Sequence, residues 1–156
     1  MRTRRAVLRV AAGTLSALVL PRVGAAGGAS LPQAVSLAAE LGRAAAMRKA
    51  LVVMVSLEGC PYCKLVRESY LAPLHAAGQP VVQVEMGRSL PLVDAQGRAT
   101  THDQFVRALG VRVAPTVLFL GRGGAEAAPR IAGVPLPDFY GAYLDERLEA
   151  ANRAAA

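Results

Sequence analysis

The chain has 156 residues, with 18 Lys and Arg against 11 Asp and Glu, a formal net charge of +7, and two cysteines. Five of those bases (Arg2, Arg4, Arg5, Arg9 and Arg22) and no acid fall within the first 25 residues, so the 131 that follow carry 13 bases against 11 acids, net +2. That length suits one compact domain with a single core rather than two. No Lys/Arg cluster with interleaved aromatics survives in it, which disfavours nucleic-acid binding.

Residues 1–25 read as a signal peptide and are set apart from the fold. Arg2, Arg4, Arg5 and Arg9 form a basic start, and the apolar stretch Val10 to Leu20 is only 11 residues long, short of the roughly 20 that span a bilayer as a helix. Val23-Gly24-Ala25 offers small residues for cleavage near Ala25. Thr3-Arg4-Arg5-Ala6-Val7-Leu8-Arg9 resembles the twin-arginine export signal; a Sec signal with a chance Arg pair is the alternative. Either route implies an exported protein, expected in the periplasm. Residues 26–30 are a flexible lead-in, and residues 31–156 are expected to form the domain.

From Leu31 the pattern turns helical, with Val35, Leu37, Ala38, Leu41 and Ala45 at three- and four-residue steps. Pro32 fits a first helical turn, with Ser30 as the cap. Residues 51–57 are a continuous apolar run, as in a strand buried on both faces. A helix is expected over 61–71, with Pro73 ending or kinking it. Gly78-Gln79-Pro80 turns the chain into a second strand over 81–86. Asp94-Ala95-Gln96-Gly97 is a turn signal between short apolar pieces, which fits a small hairpin. Thr100 or Thr101 caps a helix over 102–109, stopped by Gly110. Residues 117–120, the turn 121–124 and residues 129–132 read as an antiparallel hairpin. Pro137 opens a last amphipathic helix with Phe139, Tyr140, Tyr143, Leu144 and Leu148 on one side. A βαβ unit, a hairpin and a closing helix make an α/β sandwich with a mixed sheet.

The chemistry is concentrated in Cys60-Pro61-Tyr62-Cys63, which follows the first strand and opens a helix. That placement and spacing make a thiol reactive. A structural disulfide is the alternative, but a four-residue ring contributes only about 2 kcal/mol by chain entropy, against about 3 for a 15-residue loop. Zinc needs four ligands, and two cysteines with the distant His75 and His102 supply no recognisable set. A soft-metal site using both thiolates and a methionine such as Met86 is a further alternative. No metal and no cofactor beyond a Cys60–Cys63 disulfide is expected.

Over nearly all of residues 31–152 the chain resembles the thioredoxin superfamily, and within it exported bacterial thioredoxin-like proteins. Three landmarks carry the likeness: Cys60-Pro61-Tyr62-Cys63 after a strand; Gly110-Val111-Arg112-Val113-Ala114-Pro115-Thr116-Val117-Leu118-Phe119, similar to the family's cis-proline loop and the strand behind it; and Gly133 ahead of the last helix. The chain departs from cytosolic thioredoxins in having Met54 where they bury an Asp, and Gly59 where they place a Trp.

The resemblance implies a three-layer sandwich, a central mixed sheet flanked by helices. It implies a protein thiol–disulfide oxidoreductase in which Cys60 is the attacking thiolate, favoured by unpaired N–H groups at the helix start, and Cys63 the buried resolving thiol. It further implies that Pro115 is cis and leaves the Ala114 backbone free to pair with an extended substrate, with Pro61 and Tyr62 shaping partner contact. The lack of an inserted domain between Met86 and Val117 favours a reductase of oxidised exported proteins over an oxidase or isomerase. A membrane thiol carrier is the expected electron donor, and a monomer is expected. A non-catalytic peptide- or copper-binding module of the same fold is the rival reading. Glu58 and Glu85 read as surface carboxylates, and Lys64 and Arg67 as a solvated helix face.

Overall fold

The structure is a computed structural model that describes residues 30–156; the expected signal peptide and residues 26–29 lie outside the described residues. Strand β1 (Leu51–Ser56) is buried along its whole length. It is the hub of a four-stranded sheet of order β2-β1-β5-β6, formed with β2 (Val81–Glu85), β5 (Thr116–Leu120) and β6 (Glu126–Ala132). β1 runs parallel to β2 and antiparallel to β5, so the sheet is mixed. The two-residue side-chain period of a strand divides β1 between two cores. Val52 and Met54 pack with Cys63, Val66, Leu71, Tyr140 and Leu144. Leu51, Val53 and Val55 pack with Leu37, Leu41 and Val106 on the opposite face. Helices α1 (Leu37–Ala46) and α4 (His102–Ala108) therefore cover one side of the sheet. Helices α2 (Pro61–Val66) and α5 (Tyr140–Ala155) cover the other. This is the α/β three-layer sandwich expected from the sequence.

The sequence places a helix from Leu31; the structure starts it at Leu37, capped by Ser36, whose hydroxyl accepts from Ala39 N–H at 3.2 Å. Residues 31–35 are extended instead. Ala34 N–H donates to Gln83 O and Gln83 N–H to Pro32 O, each at 2.8 Å. The reason is the sheet edge: β2 has β1 on one side only, and its outer backbone groups need partners. Val35, assigned to the buried helical stripe, is 69% exposed.

Pro73 does not end its helix. The segment Arg67–Leu71 widens to a π-helical turn, with Ala72 N–H reaching back to Arg67 O, and α3 (Ala72–Ala76) carries Pro73 in its first turn. Widening just before a proline absorbs the missing donor and the ring's bulk. The small hairpin is present as β3 (Pro91–Val93) and β4 (Ala99–Thr101), with Asp94 Oδ1 accepting from Gln96 and Arg98 N–H at 2.9 Å. Thr101 caps α4.

The last helix begins one turn later than Pro137. A 3₁₀ turn spans Pro137–Phe139, and Tyr140, Leu144, Leu148, Ala151 and Ala155 form the buried stripe of α5. Phe139, assigned to that stripe, lies before the helix and is 63% exposed. Tyr143 sits at the stripe's margin, exposed, with the Arg147 guanidinium carbon 5.7 Å from its ring centre.

Candidate active site

β1 ends at Ser56, and Leu57-Glu58-Gly59 carry the chain into α2. Gly59 holds φ +75°, in the left-handed region that glycine enters without penalty. That turn delivers Cys60 to the N-cap of α2 with Pro61 behind it in the first helical turn, where a missing N–H costs nothing. The Cys60 sulfur takes the part usually played by a capping oxygen and accepts from Cys63 N–H at 3.2 Å. Both cysteines are free thiols; Cys60 is half-buried and Cys63 fully buried. One helical turn thus sets a reachable sulfur in front of an enclosed one.

Burial pushes the Cys63 thiol up to about 11, with the adjacent Cys60 adding to the rise; the Leu57 backbone and the Ser56 hydroxyl act the other way. A thiol in that state is a poor nucleophile at neutral pH until something stabilises its anion.

The loop before β5 closes one flank. The Ala114–Pro115 peptide bond is cis, and Cys60 Sγ lies 3.9 Å from Ala114 O. Pro115 is buried, and its carbonyl accepts from Gly133 N–H at 2.7 Å. Gly133 is held at φ +68°, and a Cβ there would stand 3.7 Å from Val113 Cγ1. So the three landmark segments of the sequence meet at one place. Tyr62 stands 59% exposed at the rim, and Pro61 is exposed beside it.

On the opposite flank an open cleft of about 840 Å³ runs beside Cys60, floored by Ser56, Arg67, Gln83 and Glu85 and edged by Lys64 and Arg88. Glu58 pairs with Arg88 at 2.8 Å, both largely exposed. Arg67 departs from the expected solvated face. Its Nη2 donates to Ser56 Oγ at 2.8 Å and its Nε to Gln83 Oε1 at 2.6 Å. Gln83 Nε2 in turn donates to Glu85 Oε1. Glu85 is half-buried rather than a plain surface residue. Arg67 follows Cys63 by four residues, one helical turn along the same face, but its inward position is set by Ser56 and Gln83, which lie on other elements, and the helix sequence alone carries no signal for it.

Two further residues lay outside the site reading. His102 is fully buried, its Nδ1 accepting from Glu85 N–H at 2.9 Å and its Nε2 2.8 Å from Ala34 O; this fixes the neutral tautomer protonated at Nε2. It ties the extended segment before α1 to the strand that carries Glu85. Nothing in a lone histidine of the sequence signals that role. Tyr140 packs on Tyr70 with ring centres 5.0 Å apart. Its buried hydroxyl has no hydrogen-bond partner among the described residues, and burial raises its pKa. Among the described residues no cluster of three or more His, Cys, Asp or Glu is placed to hold a metal ion, and no helix is long and apolar enough to cross a membrane.

The family model described as a thioredoxin-like domain matches residues 37–147. No curated protein matches the chain at a significant level. Among solved structures, the chain is similar to the periplasmic thioredoxin SoxS from Paracoccus pantotrophus in its reduced form, at 22% identity over 66% of this chain and 99% of that one, TM-score 0.42. It is similar to a thioredoxin from Thermus thermophilus at 21% identity over 77% and 86%, TM-score 0.49. A third likeness is to a thioredoxin-fold protein from Helicobacter pylori, at 14% identity over 70% and 83%, TM-score 0.47.

Proposed function

Because this chain belongs to the thioredoxin-like domain family, we propose that it is a protein thiol–disulfide oxidoreductase whose Cys60/Cys63 dithiol reduces disulfides of exported partner proteins. The observation that carries the reading is the ordered pair itself: a half-buried Cys60 sulfur at the start of α2, with Cys63 fully buried one turn behind and its N–H on that sulfur.

In the proposed cycle the Cys60 thiolate attacks one sulfur of a partner disulfide. The partner's other sulfur leaves as a thiolate, and a Cys60–partner mixed disulfide forms. Cys63 then loses its proton and attacks Cys60 Sγ. The Cys60–Cys63 bond forms, the bond to the partner breaks, and the partner leaves with both sulfurs reduced. Two electrons have passed to it, and a dithiol donor must return them; a membrane thiol carrier is the proposed source. The exposed groups around Cys60 suit an extended partner segment. Tyr62 and Val113 offer apolar contact, and the Ala114 backbone lies alongside the sulfur.

The arginine-rich start followed by a short apolar stretch supports export to the periplasm. Fractionation of a bacterium expressing the full chain should recover a shortened form there, beginning near Ala26. Titration of the dithiol against glutathione or dithiothreitol tests the direction of electron flow. A reductase is expected near the thioredoxin value of about −270 mV, and a potential near −120 mV would reverse the assignment to an oxidase.

A further inference from the structure

Arg67, Gln83 and Glu85 form a chain along the floor of the cleft beside Cys60. Arg67 Nε donates to Gln83 Oε1 at 2.6 Å and its Nη2 to Ser56 Oγ at 2.8 Å, while Gln83 Nε2 donates to Glu85 Oε1. A guanidinium only donates and a carboxylate only accepts, so the amide between them can be oriented one way alone. Gln83 and Glu85 are two residues apart on β2, hence on one face of the sheet. A cation and an anion are thus held side by side by a neutral spacer rather than by each other. Among the described residues no carboxylate lies within ion-pair distance of Arg67, and no cation within that distance of Glu85. Each keeps unused capacity, since Arg67 Nη1 and Glu85 Oε2 have no hydrogen-bond partner among the described residues.

The remaining charges of the cleft offset one another. Glu58 and Arg88 pair at 2.8 Å, and Lys64 and Glu68 stand four residues apart on the helical wall. With three cations (Lys64, Arg67, Arg88) and three acids (Glu58, Glu68, Glu85), the described lining carries no net charge. It therefore draws neither an anion over a cation nor the reverse. What it offers is N–H donors on Arg67 beside an acceptor oxygen on Glu85. The complementary group is a carboxylate and an ammonium on one carbon, the head of an α-amino acid. The volume of about 840 Å³ lies in the range of small-molecule sites. Seven residues of helix put the Cα atoms of Cys60 and Arg67 about 10 Å apart, and the Arg67 side chain leans back toward the helix start. The two Cα atoms of an amino-acid disulfide lie about 6 Å apart. One that offers a sulfur to Cys60 therefore carries its far head group toward Arg67 and Glu85.

We propose that this cleft is a second substrate site, which seats the α-amino-acid head of a small disulfide, cystine being the simplest, with Arg67 holding the carboxylate and Glu85 the ammonium. This rests on the oxidoreductase reading and adds a small-molecule substrate to the protein partners. The Cys60 thiolate attacks one sulfur of the small disulfide, and one amino-acid thiolate leaves with the electron pair of the broken S–S bond. The other half stays on Cys60 as a mixed disulfide. Cys63 loses its proton, attacks Cys60 Sγ and expels that half as a second thiolate. The small disulfide has gained two electrons and, with two protons, becomes two thiols. The protein dithiol has become the Cys60–Cys63 disulfide, reset by the same dithiol donor.

The test oxidises the reduced protein, freed of reductant, with four disulfides below saturation and follows the loss of its thiols by acid quench and alkylation. Cystine carries both charges of the head, N,N′-diacetylcystine lacks the ammonium, cystine dimethyl ester lacks the carboxylate, and 2-hydroxyethyl disulfide lacks both. Each rate constant is divided by that of dithiothreitol with the same disulfide, which removes differences in leaving-group acidity. Cystine should then exceed each of the other three by about ten-fold. Glu85→Gln should close the gap between cystine and its diacetyl form while keeping the gap to the ester, and Arg67→Met should do the converse. These are ratios within one protein, so a general loss of reactivity does not imitate them. Should Arg67→Met fail to fold, Glu85→Gln and the series on the unmodified protein decide. Corrected rates equal across the set, or gaps unchanged in the variants, would overturn this inference, and insulin reduction by the same protein would leave the oxidoreductase reading standing. No thiol loss with any of the four, together with no insulin reduction, would overturn both.

Discussion

The backbone N–H of Cys63 points at Cys60 Sγ from 3.2 Å, so the half-buried sulfur is held by the backbone of the residue whose own thiol is enclosed. Helix geometry at an N-cap makes this contact, and it distinguishes the two cysteines in both accessibility and chemistry. Limiting iodoacetamide at neutral pH should therefore label Cys60 alone. Peptide mass spectrometry of the reduced protein should show Cys60 modified at least about ten-fold faster than Cys63. Equal labelling would mean that the buried position of Cys63 is not held in solution.

The raised Cys63 thiol carries a stability consequence. Its value is pushed from 9.0 up to about 11 in the folded protein, so between those pH values the unfolded chain releases a proton that the folded one retains. The unfolded state then binds fewer protons, and folding stability falls as pH climbs through the window. Urea unfolding of the reduced protein should show a loss between pH 9 and pH 11 that is smaller in Cys63→Ala. An identical pH dependence in the two proteins would contradict the buried, protonated resting state.

Asn152 joins the last helix to the start of the central strand. Its Oδ1 accepts from Ala50 N–H at 2.9 Å, its Nδ2 donates to Gln79 Oε1 at 3.2 Å, and Gln79 Nε2 donates to Ala50 O at 2.7 Å. Both Ala50 and Gln79 are buried, so removing the amide strands groups that water cannot reach. Asn152→Ala should destabilise the fold by about 1–3 kcal/mol, read as a lower urea midpoint with an unchanged slope. A shift below the experimental scatter would show that solvent replaces the amide.

Most of the architecture was legible because it follows from period and punctuation. The unbroken apolar run of β1 required burial on both faces, and the turns at Gly78-Gln79-Pro80 and Asp94–Gly97 stand where the sequence placed them. What escaped depended on partners far along the chain. Residues 31–35 carry a helical pattern yet are extended, because the outer edge of β2 takes their backbone; local propensity lost to a tertiary hydrogen-bonding demand. Phe139 fits the last helix's apolar period but sits one residue before its first turn. At the site, the cysteine pair and the proline loop were visible as motifs. Arg67 was not, because an arginine on an amphipathic helix ordinarily faces solvent, and only the distant pair Ser56 and Gln83 turns it inward. His102 escaped for the same reason, its two partners lying on β2 and ahead of α1.

The central claim is that Cys60 attacks and Cys63 resolves. Insulin disulfide reduction with dithiothreitol as donor, run on the unmodified protein, Cys60→Ser and Cys63→Ser, tests it most directly. The account predicts turnover only by the unmodified protein, no covalent adduct on Cys60→Ser, and, once the reduced variant is freed of dithiothreitol before insulin is added, a trapped mixed disulfide on Cys63→Ser. Reduction sustained by Cys60→Ser, or an unmodified protein that never turns over, would contradict it.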